Sequence, residues 1–76
     1  MEPGLTLGEI RVRTQFNPAA ETGKGDVAEV VEALKQGTAT VINLLETLKD
    51  KDPRLAAIAQ TKYEEACMWA VKLATA

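Results

Sequence analysis

The sequence predicts an all-α fold: an antiparallel two-helix hairpin that follows an irregular N-terminal segment and assembles into a homo-oligomeric helical bundle. Two long stretches have apolar residues at helical spacing, and a short turn, "DKDP", separates them. Seventy-six residues arranged as two helices hide too little apolar surface for a comfortably stable monomer. Cys67 is the only cysteine, so an intrachain disulfide is impossible and self-association remains as the source of stability.

Residues 1–25 are predicted to form a loop or extended segment, because proline and glycine recur throughout them. Within this segment "EIRVR", residues 9–13, alternates apolar side chains with arginines, which is typical of a short extended stretch. Pro18 favours a further extended or turn conformation in the residue before it. The chain is therefore divided into this N-terminal segment and a helical hairpin over residues 26–76.

The first helix of the hairpin is predicted over about 27–49. Asp26 stands at the N-cap position, and Glu29, three residues later, completes a capping box. The apolar seam has a heptad-like spacing and comprises Val27, Val31, Leu34, Thr38, Val41, Leu45 and Leu48. Further apolar residues beside this seam widen the surface beyond what one antiparallel partner covers, which indicates contacts between chains.

The second helix is predicted over about 53–74. Asp52 is its N-cap, and Pro53 occupies the first helical position, where its missing N–H does no harm. Because the turn is short, the two helices must lie antiparallel. The predicted seam of this helix is rich in small residues and comprises Ala59, Tyr63, Ala66, Ala70 and Leu73.

The composition excludes several classes of function. Without histidine, and with a single thiol, the chain lacks the ligands of a structural zinc site and the usual catalytic triads, so neither a metal, a cofactor nor an enzymatic activity is expected. A net charge of −2 argues against nonspecific binding of duplex DNA. No apolar run approaches the roughly 20 residues of a membrane span, and no signal peptide is evident, so a cytosolic protein without a membrane partner is expected.

Two positions suggest a small anionic ligand, and each also has a simpler interpretation. Lys35 lies near Gly37 and Thr38, so a cation and a hydroxyl flank a stretch of bare backbone that suits a phosphate; a solvated lysine beside a helix-packing glycine explains the pattern equally well. Phe16 follows Arg11 and Arg13. It is either a hydrophobic plug that fixes the N-terminal segment to the hairpin or a platform on which a base stacks.

The second helix also carries a family resemblance. The stretch "DPRLAAIAQTKYEEACMWAVKLA", with its arginine after the turn, its threonine and its Met-X-X-X-Lys spacing, resembles the C-terminal helix of the phage cyclic-oligonucleotide sponges, the anti-CBASS and anti-Thoeris proteins. "EALKQGTATVINLLETL" is similar, more loosely, to their first helix. The resemblance implies a homohexamer in the cytoplasm of the bacterial host. It would bind cyclic di- or trinucleotides between protomers and sequester them without cleavage, blocking CBASS-type or Thoeris-type signalling.

The resemblance also implies site residues. Lys35 would meet a phosphate with Thr38 beside it. Phe16 and Arg13 stand where family members have a tyrosine-and-arginine segment that stacks on a base, although phenylalanine lacks the hydroxyl group. The implied ligand-binding set is Arg13, Phe16, Lys35, Thr38, Arg54 and Thr61.

A competing hypothesis is a structural or adaptor hairpin that binds no nucleotide. In that case the apolar face would dock a phage or host protein, with Trp69 or Leu44 as the central contact. Recovery of one stoichiometric protein partner would favour the adaptor, and retention of a cyclic nucleotide would favour the sponge.

Overall fold

The computed structural model describes residues 4–14 and 25–76, which form three helices: α1 (Leu7–Val12), α2 (Gly25–Glu46) and α3 (Pro53–Ala74). Hydrogen bonds join Gln60 to Ile42 and Cys67 to Leu34, so residue numbers rise along α3 as they fall along α2. The two long helices are therefore antiparallel, which confirms the predicted all-α hairpin. The short α1 packs mainly against α2 and also touches α3.

The helix α1 occupies residues for which an extended stretch was predicted, so that prediction is wrong. Its start is fixed by a complete capping box. The Thr6 hydroxyl accepts a hydrogen bond from the Glu9 backbone N–H at 3.2 Å, and the Glu9 carboxylate accepts from the Thr6 N–H at 3.0 Å. The Thr6 backbone N–H, and then its hydroxyl, lower the pKa of Glu9, so this cap is lost as the pH falls through that lowered value. Local capping overrides the alternating pattern here.

Contacts between α1 and α2 are close enough to bring backbone against backbone. The Gly8 N–H donates to Asn43 Oδ1 at 2.7 Å, and Asn43 Nδ2 donates to the Thr6 hydroxyl at 3.0 Å. A Cβ atom on Gly8 would overlap the carbonyl group of Ala39. Gly37, by contrast, has nothing in the described part of its own chain within 4 Å of an added Cβ. The glycine that permits a close approach within one chain is therefore Gly8.

Replacing Asn43 by alanine should loosen α1 without melting the hairpin. The change removes both hydrogen bonds that join α2 to the start of α1, and we expect a loss of about 1–2 kcal/mol in the stability of that contact. Hydrogen exchange should then accelerate in α1 while α3 keeps its protection. Asn43→Asp retains the acceptor for Gly8 and should give an intermediate effect. Unchanged exchange in α1 would show that Asn43 does not hold this helix.

The core forms where the three helices meet. It comprises Val12 of α1, Ala39 and Ile42 of α2, and Cys67 of α3, with Val71 packed against them. The buried rows are therefore displaced from the predicted seams. Most seam residues are partly buried or exposed, and four of them are exposed in the single chain: Leu48, Tyr63, Ala66 and Leu73. The reason is α1: a third helix covers one side of the hairpin and draws the buried rows toward it.

The helix ends differ from the predictions at α2 and agree at α3. Helix α2 includes Gly25, so Asp26 lies within the first turn rather than at the N-cap; a carboxylate there still interacts favourably with the positive end of the helix dipole. Its regular part ends at Glu46, three residues early, because residues 47–51 form tight turns. Asp52 caps α3 by accepting a hydrogen bond from the Leu55 N–H at 3.0 Å.

Many large apolar side chains remain exposed on the hairpin. They are Val30, Leu44, Leu48, Leu55, Ile58, Tyr63, Met68, Trp69 and Leu73. An apolar surface this extensive is typical of a face that contacts another molecule. None of the described helices combines the length and apolarity that a membrane crossing requires.

Candidate functional site

A cavity of about 490 Å³ lies beside the C-terminal end of α1 and is walled by α3. Its lining comprises Arg11, Val12, Arg13, Lys35, Thr61, Glu64, Glu65, Cys67, Met68, Val71 and Lys72. Four of these side chains are cationic and two are carboxylates, whereas the whole chain has a net charge of −2. The lining of this concave site therefore carries more positive than negative side chains, an arrangement that suits an anionic ligand.

The end of α1 is a sharp turn that places Arg13 at the cavity. Arg13 adopts the left-handed conformation with φ 58°, and its N–H donates to the Ile10 carbonyl at 3.2 Å. This conformation costs a residue other than glycine about 1–2 kcal/mol. Arginine occupies a position where glycine would be easier to accommodate, and its side chain is exposed on the rim of the cavity. The strained position therefore bears a cation at the candidate site.

Lys35 is the buried cation of the cavity. It is only 5% exposed, and its Nζ donates to the Arg13 carbonyl oxygen at 2.8 Å. Burial lowers the pKa of Lys35; Cys67 acts against this shift, and the charge of Arg13 adds to it. The folded protein therefore binds this proton less tightly than the unfolded chain does. The free energy of unfolding should therefore rise with pH between the lowered pKa of Lys35 and the ordinary lysine value. A bound anion would offset the unfavourable free energy of burying the positive charge.

Arg11 is held by three side chains of α3. Its Nε donates to Glu64 Oε2 at 2.9 Å, its Nη1 to Gln60 Oε1 at 3.3 Å and its Nη2 to the Thr61 hydroxyl at 3.4 Å. Nη2 also forms an ion pair with Glu64 at 2.8 Å. The guanidinium group is thus fixed on the cavity wall and joins α1 to α3. The predicted site set did not contain Arg11, because the family resemblance indicated Arg13 and the contacts of Arg11 are with residues of the distant helix α3.

A cation and an aromatic ring lie close together near the C-terminal end of α3. The Nζ of Lys72 lies 5.2 Å from the centroid of the Trp69 ring, a cation–π geometry that contributes about 0.5–1 kcal/mol at an exposed position. Lys72 lines the cavity, while Trp69 is exposed. The helix α3 thereby supplies a fourth positive group to the cavity wall.

The structure brings together only some of the predicted site residues. Arg13, Lys35 and Thr61 line the cavity. Thr38 does not: its hydroxyl donates to the Leu34 carbonyl in its own helix at 2.7 Å. Arg54 is exposed at the start of α3, about 10 Å along the helix axis from Thr61. The prediction for Phe16 lies outside the described residues.

The described residues contain no group of three or more side chains that could hold a metal ion. They contain no buried side-chain nitrogen or oxygen atom without a hydrogen-bond partner. The buried polar atoms of the cavity wall are therefore satisfied within the chain, and the charged groups that a ligand would meet are the four cations and the two carboxylates of the lining.

A comparison with protein families identifies the chain. The family model described as "Acb2/Tad1, hairpin domain" matches residues 7–75, which include all three helices. No curated protein and no solved structure gives a significant match. The match confirms the resemblance to the phage cyclic-oligonucleotide sponges that the sequence of α3 carries. The chain belongs to the Acb2/Tad1 hairpin-domain family.

Proposed function

We propose that this protein is a phage anti-defence protein that binds cyclic di- or trinucleotides and sequesters them without cleavage, so that CBASS-type or Thoeris-type signalling is blocked in the cytoplasm of the bacterial host. The proposal is supported by one observation above all: in this chain, which belongs to the Acb2/Tad1 hairpin-domain family, Arg11, Arg13, Lys35 and Lys72 line a single cavity. Its volume of about 490 Å³ lies within the usual range for small-molecule sites, roughly 300–1,000 Å³.

The chemistry of the cavity suits a phosphodiester. Arginine offers a planar fork of N–H donors that matches phosphate oxygens, and a hydrogen bond to a charged group contributes about 1.5–3 kcal/mol. Val12, Met68 and Val71 provide apolar wall against which a sugar or base packs. Phe16, which follows this part of the chain, is proposed as the stacking platform for a base.

Assembly into a homo-oligomer, a hexamer by the family resemblance, is part of the proposal. The exposed apolar side chains of the hairpin support it, with Trp69 57% and Leu73 80% exposed in the single chain. Arg54 and Thr38 lie away from the cavity, so we propose that they contact ligand at a site to which a neighbouring protomer contributes.

The adaptor hypothesis rests on the same apolar surface. Leu44 and Trp69 are 60% and 57% exposed, and large exposed side chains of this kind are frequent centres of protein interfaces. A pull-down from infected cells that recovers one stoichiometric protein, with no nucleotide bound, would favour this function over sequestration.

The proposed function is tested by retention of ligand. The purified protein is incubated with a panel of cyclic di- and trinucleotides, washed and heated, and the released material is analysed by chromatography. Sequestration predicts that one or more cyclic nucleotides are recovered intact in stoichiometric amount, whereas a neutral nucleoside is not retained. Linear products would indicate an enzyme, and an empty protein across the panel would contradict the proposal.

A further inference from the structure

The Arg11–Glu64 pair places an internal anion in the cavity. We propose that Glu64 competes with the ligand's phosphate for Arg11 and so limits the affinity of the site. This inference rests on the proposed function. Under it, only an anion that binds the cavity strongly enough to displace Glu64 from Arg11 is retained.

Glu64 occupies the edge of the Arg11 guanidinium group that a phosphate would bind. Two nitrogens of Arg11, Nε and Nη2, approach the same carboxylate oxygen of Glu64 at 2.9 and 2.8 Å. These nitrogens form one edge of the guanidinium group, and such an edge is the part that binds phosphate oxygens in a bidentate manner. The Arg11 and Glu64 side chains are 24% and 40% exposed, so the pair is open to the cavity. A phosphate that takes this edge must displace Glu64.

The remaining contacts of Arg11 keep the guanidinium group in place when Glu64 releases it. Gln60 is only 5% exposed, and its Oε1 accepts from Arg11 while its Nε2 donates to the Ile42 carbonyl at 3.2 Å and to Glu46 Oε1 at 3.1 Å. This arrangement fixes the orientation of the amide, because a flipped amide would turn its NH₂ group toward the guanidinium and its oxygen toward a carbonyl. Gln60 therefore anchors Arg11 to α2 independently of Glu64.

A carboxylate in an anion site also has a consequence for selectivity in the cell. Every anion that takes Arg11 must overcome both the broken ion pair and the repulsion of the released Glu64. A mononucleotide brings one phosphate group and few further contacts, so the opposing effect of Glu64 reduces an already weak affinity. A cyclic di- or trinucleotide engages the other cations of the cavity as well. Glu64 thereby keeps abundant small anions from occupying the site.

The test compares two variants that each remove one negative charge from the protein. Glu64→Gln retains a hydrogen-bond acceptor near Arg11 but removes the competing charge. Glu29→Gln is the matched control, since Glu29 is exposed on α2 outside the cavity lining and makes no ion pair among the described residues. Titration calorimetry with cyclic di-AMP, cyclic di-GMP and AMP should show affinity increased about three- to tenfold by Glu64→Gln for each ligand that binds, and less than about twofold by Glu29→Gln.

Several outcomes overturn the inference, and they separate it from the proposed function. Unchanged or weaker binding by Glu64→Gln shows that Glu64 orients Arg11 or contacts the ligand, and an equal gain from both variants shows a general effect of charge. Absence of binding by wild type and variants alike overturns the proposed function together with this inference. Circular dichroism checks the fold, and Glu64→Ala, which also removes the charge, should change the affinity in the same direction.

Discussion

Replacing Lys35 by methionine should reduce cyclic-nucleotide binding by about 10- to 100-fold, the equivalent of one charge-assisted hydrogen bond, without destabilising the fold. Methionine keeps the apolar stem of the side chain but removes the buried charge. Because burial lowers the pKa of Lys35, the charged form is disfavoured in the folded protein, and its removal offsets the loss of the hydrogen bond to Arg13. The thermal midpoint should therefore stay constant or rise.

Titration calorimetry and thermal denaturation measure the two effects separately. Lys62→Met is the matched control, because it makes the same charge change on an exposed face of α3 outside the cavity lining. It should bind ligand nearly as wild type does. The same comparison for Phe16→Ala tests the proposed stacking platform. If Lys35→Met disrupts the oligomer instead of binding, Lys35 serves packing and not ligand recognition.

Replacing Gly8 by alanine should displace α1 and greatly reduce ligand binding, although helix propensity alone predicts the opposite. Alanine favours a helix over glycine by about 0.5–1 kcal/mol. The added Cβ, however, meets the backbone of Ala39, which cannot move as a flexible side chain does, and overpacking of this kind costs about 1–3 kcal/mol. The second effect is larger. Arg11 and Arg13 would move with α1, so the cavity would lose two of its cations.

Gly37→Ala provides the control for this prediction. Gly37 lies inside α2, and a Cβ there meets nothing within 4 Å in the described part of the chain, so the substitution should stabilise the helix by about 1 kcal/mol. Hydrogen exchange should rise in α1 for Gly8→Ala and stay unchanged for Gly37→Ala. Wild-type ligand affinity in Gly8→Ala would contradict the role assigned to the docking of α1.

The hairpin was predictable because its signals are local. Asp52 and Pro53 determine the start of α3 from adjacent positions, and the apolar spacing of both long helices is visible within one stretch of chain. The helix α1 was missed, although "TLGE", residues 6–9, has the Ser/Thr-X-X-Glu spacing of a capping box. The alternation of residues 9–13, which overlaps this cap, is instead typical of an extended stretch.

The cavity was only partly predictable because it depends on contacts between distant parts of the chain. Arg11 lies 49 residues from Gln60 and 53 from Glu64, and no periodicity within α3 indicates that an arginine approaches from another helix. Lys35 was selected for its position near Gly37, whereas its burial results from packing under α1. The family resemblance supplied Arg13 and Thr61, which line the cavity, together with Arg54 and Thr38, which do not.

The central claim is that an oligomer of this chain holds cyclic oligonucleotides intact, and a native mass spectrum tests it most directly. The purified protein is mixed with cyclic di- and trinucleotides, freed of excess ligand and sprayed without denaturation. Sequestration by an oligomer predicts intact oligomers that carry nucleotide in a fixed ratio. In Lys35→Met the nucleotide should be lost while the mass of the bare oligomer stays unchanged. Bare oligomers with every nucleotide of the panel, or a protein that stays monomeric and unliganded, would contradict it.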